Sequence, residues 1–157
     1  DFGKGTLQSV GSDDAFVLKL DPAGNALWGT ATGGIGSECG FRIAVDRDDN
    51  LLVAGIFDSA VTFEQPLATA GATDIYLVKL APGGEALWSR SYGGLTTEIP
   101  GGLAAGEDGR VILTGAFSGT VDFHGKQPLT AKAWLDPFVL TTDAGGETLW
   151  SRGLGGR

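Results

Sequence analysis

Two glutamates, Glu38 and Glu98, stand about 60 residues apart in matching loops. Aligned carboxylates of this kind suit a ring that holds a cation or a basic partner. At glycosidase separation they would suit acid–base work on a polysaccharide. The plainer role is a cap on backbone N–H groups. Asp46-Arg47-Asp48-Asp49-Asn50 alternates oxygen ligands in the manner of a calcium loop. It lacks the glycine and distant glutamate of an EF-hand, and Gly106 occupies the place of Asp46 one period later, so a turn is expected. Asp14, Asp74 and Asp136 recur at the head of one strand. Acids at a fixed register are expected to bridge neighbouring units through backbone N–H groups. The single histidine, His124, is matched by Glu64 and Gly3, a variable loop position. One histidine with no partner cysteine argues against a zinc site or a Ser-His-Asp triad, unless further blades contribute to one. Glu38, Glu98 and His124 are therefore the candidate ligand-face residues. No glycine-rich loop is followed by a phosphate-binding lysine, and no pattern for holding a cofactor is visible.

The chain has 157 residues and a net charge of −8, which argues against nucleic acid, whose phosphates need a basic patch. It also disfavours an anionic membrane surface. No apolar run approaches the ~20 residues that span a bilayer, so membrane insertion is not expected. Cys39 is the only cysteine, so no intrachain disulfide can form. It aligns with Ile99, and a small buried hydrophobe is expected there. There are 27 glycines, and they recur at matching places, which reads as turns and not as disorder.

These residues are positioned by a tryptophan phrase that occurs three times: LDPAGNALWGTATGG (20–34), LAPGGEALWSRSYGG (80–94) and TDAGGETLWSRGLGG (142–156). Trp28, Trp88 and Trp150 mark a period of about 60 residues. A fixed period of this size signals units that cannot bury their apolar faces alone. Runs of branched and aromatic residues at 15–21, 75–81 and 137–143 suit strands buried on both faces. A tight turn leads from each into 26–32, 86–92 and 148–154, giving hairpins. Further strands are expected at 41–46 and 102–107, rich in small residues, and at 51–57 and 111–117. Gly55 and Gly115 align within the latter and allow a close approach. A loop of roughly 16 residues then follows, with Phe2, Phe63 and Phe123 recurring as pins. The architecture expected is all-β: four-stranded antiparallel units in tandem, the pattern of β-propeller blades. A β-solenoid is the rival, but its coils are shorter and lack the four-strand meander.

The order GFRIAVDRDDNLLVAGIF then DAFVLKLDPAGNALW resembles the bacterial SBBP-type β-propeller repeat, and is similar also to NHL-type propeller repeats. The Asp-x-x-Gly-x-x-x-Trp spacing at Asp21-Gly24-Trp28 and Asp143-Gly146-Trp150 loosely resembles the docking motif of quinoprotein-like propellers. The resemblance implies about two and a half blades: an outer half-blade at 15–34 and blades at 41–94 and 101–156. It implies a ring completed by further sequence or by several chains, since propellers close with four to eight blades. The chain opens in mid-phrase, Asp1-Phe2 matching Asp122-Phe123, so a piece of a longer polypeptide is expected. Trp28, Trp88 and Trp150, with the three aspartates, are the expected blade-docking residues. An indole laid across a blade gap buries enough area for roughly 4–6 kcal/mol as an upper bound.

The SBBP resemblance specifies a fold and no reaction. It implies a non-enzymatic binding or scaffold module of a larger secreted or cell-surface bacterial protein, using propeller-face loops for protein or glycan contact. Other blades or chains of the same protein are the remaining partners. The alternative is part of an extracellular polysaccharide-active enzyme using Glu38 with Glu98. A quinoprotein-like electron carrier is a third reading.

Overall fold

The computed structural model describes residues 2–3 and 5–156; Asp1, whose repeat match was noted above, lies outside them. Every regular element among these residues is a strand. β1 (Ala15–Leu20) and β2 (Ala26–Thr32) form a hairpin that stands as its own two-stranded sheet. β3 (Glu38–Val45) and β4 (Leu51–Phe57) follow, then a small hairpin of β5 (Val61–Thr62) and β6 (Pro66–Leu67). β7 (Asp74–Leu80) and β8 (Ala86–Gly94) complete an antiparallel meander in the order β3-β4-β7-β8. The pattern then repeats. β9 (Glu98–Ala105), β10 (Val111–Phe117), β13 (Asp136–Thr142) and β14 (Thr148–Gly153) form the second meander. Between β10 and β13 lies a second small hairpin, β11 (Thr120–Asp122) with β12 (Leu129–Thr130). The chain is thus a half-unit followed by two four-stranded units.

β7 is buried along its whole length, as an uninterrupted apolar run between two packed faces should be. Its alternate residues feed two cores. Tyr76, Val78 and Leu80 join Ala15, Val53 and Phe57 against the half-unit. Ile75 and Leu77 join Leu52, Val111, Leu113, Phe138 and Leu140 against the second unit. Each sheet therefore packs face to face with the next.

Three expectations are corrected here. The strands expected at 41 and 102 begin earlier, at Glu38 and Glu98, because a register shift at Gly40/Arg42 and another beside Gly115 and Pro100 let the chain resume pairing beyond an irregular step. Cys39 is exposed and not a buried hydrophobe, since β3 is a sheet edge; its counterpart Ile99 on edge strand β9 is also exposed. The long loops are not structureless. β11 adds to the edge of β8 through Val121–Gly94 and Asp122–Gly93, stitching the second unit to the first. Phe123 is fully buried beneath this stitch and Phe63 packs at the matching place, whereas Phe2 stays half-exposed, stacked on Phe16.

Candidate functional site

Up-and-down strands give each unit two rims. One rim carries the tight turns 21–25, 46–50, 81–85, 106–110 and 143–147. Each closes by the same backbone bonds; in the first, Asp21 N donates to Asn25 O and Gly24 N to Asp21 O. An aspartate at the first position, where present, accepts from N–H groups two and four residues on, as Asp143 does from Gly145 and Glu147. Asp46 does the same and also pairs with buried Lys79 at 2.8 Å. Burial alone would raise its pKa, but bonds from Lys79, Asn50 and Asp48 hold the carboxyl well below the usual range. The expected turn at 46–50 is present, with its oxygens committed to protein donors.

The opposite rim, here the upper one, is built from the loops around 9–13, 33–37, 58–60, 69–73, 93–97, 118–119 and 131–135. Its loops interlock across units, Ser12 N donating to Gly36 O and Thr73 N to Thr96 O, and are tied within a unit by Ser37 N to Asp58 Oδ1 and Thr96 Oγ1 to Ser118 O. Glu38 and Glu98 lie under this rim. Both are buried, Glu98 at 0% exposure, and they do not face a channel mouth as expected of ligand-face loops. The reason is local: each starts a strand, and its backbone N–H is held by a carbonyl of the preceding unit, Asp13 O and Thr73 O respectively. Their carboxylates reach back to Gly34 N at 2.7 Å and Gly94 N at 3.1 Å. Burial pushes the Glu98 carboxyl up to about 7, with the charge of Asp74 adding and the Gly94 bond opposing. Burial raises Glu38 too, the Gly34 bond opposing while the charges of Asp14 and Asp58 add. The carboxylates are inter-unit clips, the task expected of Asp14, Asp74 and Asp136.

Those aspartates do something else. Asp14, Asp74 and Asp136 accept from N–H groups four residues back, Val10, Ala70 and Lys132, so each closes its own loop and does not cross the junction. His124 lies apart from both glutamates. Its Nε2 meets Ser91 O at 2.9 Å and its backbone N–H donates to Asp122 Oδ1, which anchors the stitch hairpin on β8. Among the described residues no three His, Cys, Asp or Glu side chains gather in a metal-binding arrangement.

The tryptophans reach across the junctions. Trp28 Nε1 donates to Pro82 O at 2.9 Å, and Trp88 Nε1 to Ala144 O at 3.0 Å. Each acceptor lies in the tight turn of the next unit. The indole rests on a left-handed glycine of that turn, Gly84 at φ 100° or Gly146 at φ 83°. A methyl group at Gly146 would stand 2.8 Å from the Trp88 ring and one at Gly84 3.1 Å from Trp28, so these turns need glycine for both reasons. Sequence reasoning placed the indoles but missed their sockets; the signal was the glycine recurring four residues before each tryptophan. Trp150 keeps the same register, opposite Thr141 as Trp88 is opposite Lys79, yet is 49% exposed.

The upper rim does present large apolar side chains among its polar ones. Val10, Ile35, Leu95 and Trp134 are 74–86% exposed in its loops. Ile35 and Leu95 hold equivalent places after Gly34 and Gly94, a repeated Gly-aliphatic step that sequence reading passed over.

No family model matches the chain. It is similar to an uncharacterized WD repeat-containing protein of Acanthamoeba polyphaga mimivirus, 26% identical over 88% of this chain and 12% of that protein's length. The chain thus spans a small part of the curated relative it matches. The likeness and the tandem antiparallel sheets agree on a propeller-type repeat.

Proposed function

We propose that the two units and the half-unit are blades of a propeller ring, and that the chain is a binding or scaffold module whose upper rim contacts a protein partner. The observation that carries this reading is the exposure of Val10, Ile35, Leu95 and Trp134 on one rim, against turns on the other built from Asp, Asn, Glu, Arg, Gly, Pro and Ala, with no large apolar residue among them. Isolated apolar residues on a surface are ordinary. Four large ones confined to the loops of one rim favour contact with another protein, whose interface cores are aliphatic and aromatic. The SBBP resemblance supports placing the module in a larger secreted or surface protein. The enzyme alternative is weakened because Glu38 and Glu98 are buried and engaged with backbone amides.

A chain carrying Ile35→Ser, Leu95→Ser and Trp134→Ser together, with an unchanged melting curve, is expected to lose every protein that the parent retains in affinity capture. Retention of the same partners by the triple variant would reject the rim. Glycan contact has one observation in its favour, the open indole of Trp134. Polysaccharide binding abolished by Trp134→Ala alone, with Ile35→Ser and Leu95→Ser silent, would select it.

A further inference from the structure

We propose that the junction between the half-unit and the first unit holds a binding site for a small phenol, whose ring takes the place that a tyrosine side chain fills at the second junction. The two junctions are built from matching strand pairs, so their side chains can be compared one by one. At the second, Ile75 opposes Tyr92 and Leu77 opposes Arg90. Ile75, Leu77 and Tyr92 are fully buried and close the space between the sheets. At the first, Ala15 opposes Thr32 and Val17 opposes Thr30. Four large side chains on one wall are thus replaced by four small ones. A cavity of about 170 Å³ lies there, lined by these four residues and, on the side of the first unit, by Phe63 and Tyr76. It follows from residue size in strands that both junctions possess.

What the first junction lacks is a ring. At the second, three rings pack in a row: Tyr92 lies 6.0 Å from Phe123, and Phe123 lies 4.5 Å from Phe138, centroid to centroid. At the first, Phe63 and Tyr76 hold the places of Phe123 and Phe138, 5.3 Å apart, and Thr32 leaves the third place without a ring. The volume suits one, since an apolar cavity of ~150 Å³ takes up benzene. The chemistry of the wall asks for more than a hydrocarbon. Thr32 Oγ1 is buried and has no hydrogen-bond partner among the described residues. A buried hydroxyl left unmet is costly. A phenol meets both demands: its ring packs against Phe63, and its O–H donates to Thr32 Oγ1.

This site shares no residue with the rim proposed to bind a protein, so the two can fail separately. The probe is p-cresol, the side-chain analogue of tyrosine, titrated into the whole chain. Binding is followed by the methyl NMR signals of Ala15, Thr32 and Val78, which line the cavity. These are expected to shift along a saturating curve, while those of Leu113 and Leu140 at the filled junction stay still. Ala15→Ile with Thr32→Tyr copies the second junction, and is expected to abolish the shifts at Val78. Thr32→Val keeps the shape and removes the hydroxyl; it should weaken p-cresol about fivefold and leave toluene unaffected. Lining signals that stay still at millimolar p-cresol, equal shifts at Leu113 and Leu140, or binding that persists in a folded double variant would overturn the proposal. Should the double variant not fold, Thr32→Val decides alone, and an unchanged affinity for p-cresol would overturn it.

Discussion

The two junctions are made from the same parts and are not equally closed. Trp88 is buried at the second, while Trp28 is half-buried at the first. Asp74 is buried, whereas its counterpart Asp14 is not. β8 runs on to Gly94 and takes β11 at its edge, but β2 stops at Thr32. Arg90 lies 5.8 Å from the Trp88 ring centroid and bonds to Glu147, where the first junction has only Thr30. The cause is what stands on each side. Four strands face four strands at the second junction, but only two face four at the first. The same motif therefore sits in a drier setting when its unit is complete, and a side chain's environment is set by the neighbouring unit as much as by its own.

The largest expected break in this comparison is Trp88→Ala, which leaves a cavity between full units and should cost ~3–5 kcal/mol. Trp28→Ala should cost about half as much, since part of its ring already meets water. Thermal unfolding checks both, and equal losses would mean that the second junction is no drier than the first. Lys79→Met comes next. It strands Asp46 as a buried unpaired charge, for which about 3 kcal/mol is expected. The pair Asp46→Gly with Lys79→Thr copies Gly106 and Thr141 of the second unit and should recover most of that loss; failure to recover would show that the ion pair does more than satisfy its own charges.

Glu98 gives a pH test of the same contrast. Its folded pKa is about 7 against roughly 4.3 in an unfolded chain. The folded state therefore holds the proton more tightly. The stabilisation this gives is present in full below the unfolded value and is lost as pH rises through 7. Melting temperature should fall between pH 5 and pH 8, and Glu98→Gln should flatten that slope. Glu38→Gln should flatten it less, and an equal effect would erase the difference between the two sites. The smallest effect expected is Arg90→Thr, which copies Thr30. Loss of an exposed ion pair and a ring contact should cost roughly 1 kcal/mol or less, measured by denaturant midpoint.

The strand pairs flanking each tryptophan were legible because an uninterrupted apolar run, a turn and an indole recur in one order. The start of β9 was not, because Glu98-Ile99-Pro100-Gly101 carries two strand breakers at the bulge that resumes the ladder. The stitch hairpin β11–β12 was hidden for a different reason: two or three residues per strand give no period to detect. At the candidate site, glutamate at a loop end reads as solvated, and only the fold reveals that Thr73 and Gly94 of the preceding unit bracket Glu98. The aspartates deceived in the opposite sense. Their fixed register reflects a local bond to a backbone N–H four residues earlier, which recurs without any neighbour.

The central claim is that tryptophans at one register differ in whether the next unit is there to receive them and in whether their own unit is complete. Hydrogen exchange of the indole N–H groups, followed by NMR at a concentration where the chain is monomeric, tests it directly. The Trp88 proton, held on Ala144 O and buried, should exchange slowest, and Trp28, held on Pro82 O, should follow. The Trp150 and Trp134 protons should exchange at rates near those of a free indole. A Trp88 proton that exchanges as fast as that of Trp150 would contradict the account.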